Sequence, residues 1–340
     1  MWHGESHLIR HKTAPVAFNL AFDTGRVRLG GFPISWLDSS GKRQPLQSPS
    51  APYSSPRFSP DGKRLAYSLL NGSGSDIWVK DLERDTPSKL TSFPETNGWP
   101  VWTPDGQYII FRSDNTAAPG LYIVRADGSS EPQRLTENKV GEFPYSISSN
   151  GKRLAYTSAG SSTPDLFTAP LESGPSGNVG TFRLGKPETF VGTQFAELQP
   201  AFSPDGRWLA YTSNETGRFE IYVRPFPGPG GRSRISTSAG SYPVWSPKRR
   251  ELFFMSLDRH IMVVDYSAKG DSFVPGKPRL WSEAILWDPV RVKMFDVAPD
   301  GKRVAAVLLA SDSGMEKPLT HVTFLLNFFD ELRRKTAKEK

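Results

Sequence analysis

Residues 199–226 read QPAFSPDGRWLAYTSNETGRFEIYVRPF, and this stretch holds three short apolar runs separated by turn-forming residues. The first turn, at residues 203–206, has the sequence SPDG. Proline sets φ for the first central position of a tight turn, aspartate hydrogen-bonds the nearby backbone, and glycine accepts a positive φ. The flanking runs are rich in aromatic and β-branched residues, which favour strands. The stretch therefore predicts three antiparallel strands rather than a helix.

The same pattern recurs along the chain. SPDG also stands at residues 59–62, and close variants begin at Thr103, Ser148, Ser246 and Ala298. Successive copies start 44, 45, 55, 43 and 52 residues apart, and a fourth run such as PSKLT or PQRLT closes most units. Four short strands in each repeat predict an all-β, six-bladed β-propeller of four-stranded antiparallel blades. The alternative is an incomplete seven-bladed propeller.

The repeated aspartates could be a ring of carboxylates or simply turn residues. We interpret them as turn residues, because aspartate followed by glycine is what such a turn requires. The predicted structural turn residues are Asp61, Gly62, Asp105, Gly106, Asp205, Gly206, Asp300 and Gly301.

The two ends of the repeat array complement each other. Residues 33–46, PISWLDSSGKRQPL, resemble a third and fourth strand with no first pair ahead of them, whereas the sixth repeat has no further strand after HVTFLLN at residues 321–327. An N-terminal strand that completes the last blade would close the ring and remove an open sheet edge. We expect three regions: a loosely attached N-terminal segment at 1–25, the propeller at 26–330 and a basic C-terminal tail at 331–340.

Composition narrows the class of protein. The chain has 340 residues, no cysteine and a formal net charge of +7, part of which comes from the basic tail. The lack of cysteine excludes a disulfide scaffold and thiolate metal sites. No apolar stretch approaches the ~20 residues of a membrane helix, and no signal peptide is apparent. We expect no nucleic-acid binding, no membrane insertion and a monomer.

Sequence motifs for catalysis are absent. The chain contains no GxSxG, HExxH, P-loop or dinucleotide-binding motif. His3, His7 and His11 are spaced four apart, but we interpret them as part of a frayed terminus rather than a metal site. We therefore predict no enzyme activity, no catalytic residues, no cofactor and no bound metal. An active site pooled from several blades stays open, since it would leave no linear motif.

The start of each innermost strand is the best candidate for a binding surface. Ser55, Trp99, Gln199 and Tyr242 precede a proline at this point, with Phe143 nearby in a variant copy. Propeller geometry would gather such residues at one rim of the central channel, where exposed aromatics suit peptide anchoring. The other interpretation is that Trp99 and Tyr242 pack between blades.

Acidic residues accompany these aromatics and predict a locally negative rim. The predicted rim comprises Trp99, Phe143, Tyr242, Glu95, Glu142 and Glu197.

The repeat resembles the TolB-like, WD-repeat-like bacterial propeller family, whose unit carries an apolar-SPDG-apolar-IY pattern. Residues 214–254 and TFLLNFFDELRR near the end are also similar to the C-terminal propeller of bacterial serine/threonine protein kinases. The chain contains no kinase glycine-rich loop, His-Arg-Asp or Asp-Phe-Gly motif. The family resemblance implies a sensor or interaction propeller and a periplasmic or other extracytoplasmic location; the sequence itself fixes no compartment.

Taken together, these patterns predict a non-catalytic scaffold that binds a protein or peptide. Two alternatives remain: a hydrolase or lyase whose residues come from several blades, or the propeller portion of a prolyl-oligopeptidase-like protein.

Overall fold

The computed structural model describes residues 31–309, except 73, 94, 138–140, 160–162, 175–180, 271 and 289–291. The N-terminal segment predicted at 1–25, its three histidines and the tail predicted at 331–340 lie outside the described residues. All regular elements in the described ranges are strands. Accordingly, within those ranges there is no helix of the length and apolarity needed to cross a membrane.

The described chain forms 26 strands. In chain order they are β1 (Phe32–Asp38), β2 (Arg43–Ala51), β3 (Tyr53–Phe58), β4 (Arg64–Asn71), β5 (Gly74–Asp81), β6 (Thr86–Lys89), β7 (Asn97–Trp102), β8 (Tyr108–Ser113), β9 (Gly120–Arg125), β10 (Gln133–Arg134), β11 (Glu142–Ile147), β12 (Arg153–Ser158), β13 (Asp165–Ser173), β14 (Phe182–Leu184), β15 (Glu188–Val191), β16 (Glu197–Phe202), β17 (Trp208–Ser213), β18 (Glu220–Pro225), β19 (Ser233–Arg234), β20 (Ser241–Trp245), β21 (Glu251–Met255), β22 (His260–Lys269), β23 (Ser272–Pro275), β24 (Arg279–Ile285), β25 (Phe295–Val297) and β26 (Arg303–Val307).

These strands form six antiparallel sheets, and each sheet is one blade. Blades 1 to 5 begin with β3, β7, β11, β16 and β20, which are their inner strands. Blades 3 and 5 carry a fifth strand, since β14 and β15 both pair with β13, and β23 and β24 both pair with β22. Each inner strand contacts the next around the ring, and β25 contacts β3. The predicted six-bladed propeller is confirmed.

Blade 6 joins the two ends of the described chain. Its strand order is β2-β1-β26-β25, so the N-terminal strands supply the outer half of the blade. Ile34 pairs with Val307, and Leu37 pairs with Val304. All four side chains are fully buried. The ring closes as the sequence predicts.

The core lies between adjacent blades. The second strand of a blade is buried on both faces by the two flanking blades, as in β17 and β21, where every residue is buried. Tryptophans at the ends of two inner strands also link blades by hydrogen bonds. Trp102 Nε1 donates to the Arg57 carbonyl oxygen at 3.0 Å, and Trp245 Nε1 donates to that of Ala201 at 2.9 Å. Each indole thus buries its ring without leaving its N–H unpaired.

The SPDG segments form tight turns between the first and second strands. In blade 1, Asp61 Oδ1 accepts hydrogen bonds from Ser59 Oγ at 2.5 Å and from the Lys63 backbone N–H at 3.0 Å. Gly62 has φ of +73°. Asp105 and Asp205 accept equivalent bonds, and Asp300 accepts one from the Lys302 backbone N–H. These carboxylates hold turns around the ring and do not converge on one point.

Replacing Gly206 with alanine is expected to lower the free energy of unfolding by about 1 kcal/mol, since Gly206 has φ of +69°. The added Cβ would also lie 3.2 Å from Ser149 Oγ. The matched control is Gly231→Ala, where φ is not positive and no atom lies within 4 Å of the new Cβ. Urea denaturation of both variants checks the prediction. Equal losses would show that the turn conformation is not the cause.

Candidate functional site

Four inner strands share an unusual backbone conformation near their first residues. Ser55, Trp99, Gln199 and Tyr242 have φ of 52°, 57°, 59° and 58°, and each precedes a proline. At the same point the pairing of each inner strand with its neighbour shifts register. These are β-bulges, which bend a strand and redirect a side chain. The bulges lie at one end of the ring, where the inner strands begin; we call this end the mouth.

Gln199 packs between blades 4 and 5, whereas the ring of Tyr242 lies in the core cluster between blades 5 and 6. Gln199 is 6% exposed and Tyr242 is 4% exposed. Gln199 Oε1 accepts hydrogen bonds at 2.8 Å from the Tyr242 backbone N–H and from Thr212 Oγ1. Beside them is a pocket of about 140 Å³, also lined by Phe219 and Asp288. Tyr242 therefore takes the interblade packing position that was the alternative to an exposed rim.

Trp99 and Phe143 meet at the mouth between blades 2 and 3. Their ring centroids are 4.9 Å apart, with an edge-to-face angle of 79°. The guanidinium carbon of Arg112 lies 4.0 Å from the Phe143 centroid and 5.7 Å from that of Trp99. Both rings are partly exposed. These three side chains, here called the aromatic stack, combine edge-to-face and cation–π contacts.

A pocket of about 170 Å³ adjoins the aromatic stack. Its lining residues are Arg112, Ser113, Asp114, Pro119, Gly120, Gly141 and Glu142. Arg112 Nε donates to Asp114 Oδ1 at 2.7 Å, whereas its buried Nη1 has no hydrogen-bond partner among the described residues. A Cβ at Gly141 would lie 3.1 Å from that Nη1, so glycine leaves room for the guanidinium. The pocket thus has a guanidinium in its wall, directly beside two aromatic rings.

The acidic residues do not form the exposed negative rim that the sequence predicts. Glu142 and Glu197, the first residues of β11 and β16, are 2% and 1% exposed. Glu197 accepts a hydrogen bond from Thr193 Oγ1 at 2.6 Å, and burial raises the pKa of its carboxyl group. In blade 2 the equivalent first residue is Asn97. Glu95 lies two residues before it and accepts a hydrogen bond from Thr116 Oγ1 at 3.0 Å. The side chains at the first position of these inner strands are covered by neighbouring segments of the chain and are not exposed to solvent.

A charged cluster that the sequence analysis missed lies further along the inner strands. Arg57 of β3 approaches Asp296 of β25, with Nη1 and Oδ1 3.7 Å apart. Lys293 Nζ donates to Asp296 Oδ1 at 2.8 Å, and the Phe58 backbone N–H donates to Oδ2 at 3.0 Å. Burial raises the pKa of Asp296 to about 6, although the charge of Arg57 acts to lower it.

The repeat alignment held a signal for this cluster. Arg57 and Asp296 both stand two residues before the SPDG or APDG segment. The same position is Val101, Ser146, Ala201 or Val244 in the other blades, so blades 1 and 6 alone place charges there. No group of three His, Asp or Glu side chains able to hold a metal ion occurs among the residues that the structure describes.

Comparison with known proteins places this geometry in context. Residues 24–187 match the family model of the TolB beta propeller domain. An uncharacterized protein of Agrobacterium fabrum is 30% identical over 189 residues, 55% of this chain and 63% of that protein. The Tol-Pal system protein TolB of Francisella tularensis is 25% identical over 203 residues, 57% of this chain and 44% of that protein. The chain thus spans less than two thirds of these relatives.

Solved structures share the fold. A protein assigned as TolB from Agrobacterium tumefaciens superposes with a TM-score of 0.60 at 19% identity, covering 83% of this chain and all of the other. TolB of Acinetobacter baumannii gives 0.53 at 18% identity, covering 84% of this chain and 64% of the other. The protein therefore carries a six-bladed β-propeller whose fold is similar to that of these TolB proteins.

Proposed function

We propose that this propeller is a non-catalytic scaffold that binds a protein or peptide segment at its mouth. The observation that carries the proposal is the aromatic stack of Trp99, Phe143 and Arg112 beside a pocket of about 170 Å³. Tryptophan and arginine are the residue types that most often dominate binding energy at protein interfaces. A partly exposed pair of rings can receive an apolar side chain, while the adjacent pocket supplies polar groups that orient it.

The ring favours binding because it is rigid. The aromatic stack is contributed by β7, β8 and β11, which are central elements of blades 2 and 3 and pack against one another. A rigid surface loses little conformational entropy when a partner binds. A short peptide segment fits this geometry better than a broad protein surface, since the stack and its pocket form a compact target.

The charge of the mouth indicates an apolar anchor in the partner. Glu142 and Glu197 are buried, and Arg112 already pairs with Asp114. A basic anchor is not favoured at these positions, because the carboxylates of Glu142 and Glu197 are buried and cannot attract one. Binding through the aromatic stack should depend only weakly on salt.

A selected peptide provides the test. A library of displayed 12-residue peptides is selected on the unaltered protein, and the affinity of a selected peptide is measured by calorimetry. Trp99→Ala is expected to weaken binding by at least about tenfold, as for a central interface tryptophan. The melting temperature should change little, since Trp99 is partly exposed.

The matched control is Leu257→Ala, which alters a side chain that is 78% exposed on a turn at the same end of the ring. Its affinity should equal that of the unaltered protein. Selected peptides that bind the Trp99→Ala variant equally well, or a library that yields no binder, would refute the proposal.

A second candidate is the propeller portion of a peptidase. An uncharacterized peptidase of Bacillus subtilis is 26% identical over 162 residues, 47% of this chain but only 22% of that protein. The separate alternative of a hydrolase with residues pooled across blades would be favoured if the purified chain hydrolysed a fluorogenic peptide library. We also propose a relation to the propellers of bacterial serine/threonine protein kinases. The full reading frame around this chain would test it, because it would show whether a kinase domain is encoded with the propeller.

A further inference from the structure

The charged cluster of Arg57, Lys293 and Asp296 lies at the inner strands beside the central channel, and its members differ in how fully they are hydrogen-bonded. Arg57 is 11% exposed, Lys293 is 8% exposed and Asp296 is 14% exposed, measured on their side chains. Asp296 is well satisfied, since Lys293 and the Phe58 backbone N–H donate to its two oxygens. Arg57 is the exception in this cluster.

Arg57 makes no hydrogen bond from its guanidinium to any residue that the structure describes, and its ion pair with Asp296 is 3.7 Å long. Direct guanidinium–carboxylate hydrogen bonds are about 2.7–2.9 Å long. Elsewhere in the protein such bonds form: Arg153 Nη2 lies 2.7 Å from Glu188 Oε2. A guanidinium has five N–H donors, and no nitrogen of Arg57 is a fully buried atom without a partner, so its donors keep access to solvent. The donors of Arg57 therefore suit a group that enters from the channel.

The location of Arg57 makes it reachable from the channel. Tyr145 of β11, the inner strand of blade 3, acts electrostatically on Arg57, so the two side chains approach each other although they come from different blades. Tyr145 is partly exposed. The equivalent positions on blades 2, 3 and 4 are Val101, Ser146 and Ala201, which carry no charge.

The charge balance favours a monoanion. Arg57 and Lys293 carry two positive charges and Asp296 carries one negative charge, which leaves one positive charge uncompensated in the cluster. A carboxylate would neutralise it, whereas a phosphate dianion would leave one excess negative charge beside Asp296. The planar guanidinium also matches the two oxygens of a carboxylate.

We propose that the central channel is a carboxylate-binding site, in which Arg57 holds the carboxylate and Tyr145 of blade 3 also contacts it. Lys293 and Asp296 are positioning residues that fix the local charge. The carboxylate can belong to a small acid, to the C-terminus of a peptide or to an acidic side chain. This site is separate from the aromatic stack and does not depend on it.

The first test compares sodium acetate with sodium chloride at equal ionic strength. A ligand that binds the folded state raises its stability as its concentration rises above the dissociation constant. The melting temperature of the unaltered protein should rise saturably in acetate. Arg57→Gln should abolish this rise, and the control Arg250→Gln, at an exposed arginine outside the channel, should keep it. A missing rise in the unaltered protein, or an equal rise in Arg57→Gln, would overturn the proposal.

The second test identifies the source of the carboxylate by calorimetry. The probes are N-acetyl-triglycine, its C-terminal amide, and N-acetyl-Gly-Glu-Gly-amide. Binding of either carboxylate peptide but not of the triglycine amide supports the site and tells whether a C-terminus or a side chain is preferred. Arg57→Gln should weaken that binding about 10- to 100-fold. Equal binding of the triglycine amide would overturn the proposal.

Milder variants keep the test decisive if Arg57→Gln does not fold. Arg57→Lys retains the charge but loses the planar fork, and Tyr145→Phe removes only a hydroxyl group. Both should weaken acetate binding relative to the unaltered protein, and unchanged binding in both would refute the site. Trp99→Ala should leave acetate binding unchanged, so failure of the peptide site at the mouth and failure of this site are distinguishable.

Discussion

Replacing Trp245 with alanine is expected to lower the free energy of unfolding by about 3–5 kcal/mol, the range for removing a large buried ring. Trp245 is 7% exposed and lies in the cluster between blades 4 and 5. Its ring packs edge-to-face against Tyr266, with ring centroids 5.1 Å apart, and its indole N–H donates to the Ala201 carbonyl oxygen. Alanine would leave a cavity and would also remove the hydrogen bond that the indole N–H donates to the Ala201 carbonyl oxygen.

Two further variants separate these contributions. Trp245→Phe keeps an aromatic ring but loses the hydrogen bond, so its loss should be smaller than that of alanine. Val274→Ala, in the same blade, changes a side chain that is 55% exposed and should cost less than about 0.5 kcal/mol. Chemical denaturation followed by circular dichroism measures all three. Similar small losses for Trp245→Ala and Val274→Ala would contradict the packing of Trp245 between blades.

Changing Ile34 to aspartate is expected to prevent the ring from closing. Ile34 is fully buried in β1 and pairs with Val307 of β26, so the new carboxylate would have neither water nor a cation beside it. An unpaired buried charge costs about 3–5 kcal/mol or more. Because blade 6 joins the two ends of the ring, the loss should unfold the whole propeller rather than one blade.

Gln44→Asp is the matched control, since Gln44 is exposed on the neighbouring strand β2. It should fold with an almost unchanged denaturation midpoint. Ile34→Asp, in contrast, should show no cooperative transition or a midpoint far below that of the control. A cooperative transition close to that of Gln44→Asp would mean that β1 does not hold blade 6 together.

The repeat was sufficient to predict the six blades and the closure of the ring. Each SPDG copy marks the same turn, and the unmatched pieces at the two ends fit together as one blade. The bulges were harder to foresee. A residue before proline normally favours extended backbone, yet Trp99 and Tyr242 have positive φ. The pairing of the inner strands imposes this conformation. The local backbone preferences of the sequence do not predict it.

The candidate site was predictable only in part. Trp99 and Phe143 do meet at the mouth, but the sequence could not tell that Glu142 and Glu197 face inward, because a single bulge reverses which face a residue occupies. Arg57 and Asp296 are 239 positions apart in the sequence, and only the closed ring brings them together. In the sequence the pair is marked only by two copies of the repeat that carry a charged residue where the other copies carry an uncharged one.

The composite construction of blade 6 has a consequence for the order of events on the ribosome. β1 is among the first described strands to be synthesised, but its partner β26 ends at Val307. Until that point has emerged, β1 has an unpaired edge while the blades between form in sequence. The final pairing then spans about 270 residues, and such non-local contacts form slowly. Nascent chains stalled before β26 should therefore depend on protection of this strand edge from aggregation, a need that disappears when synthesis passes Val307.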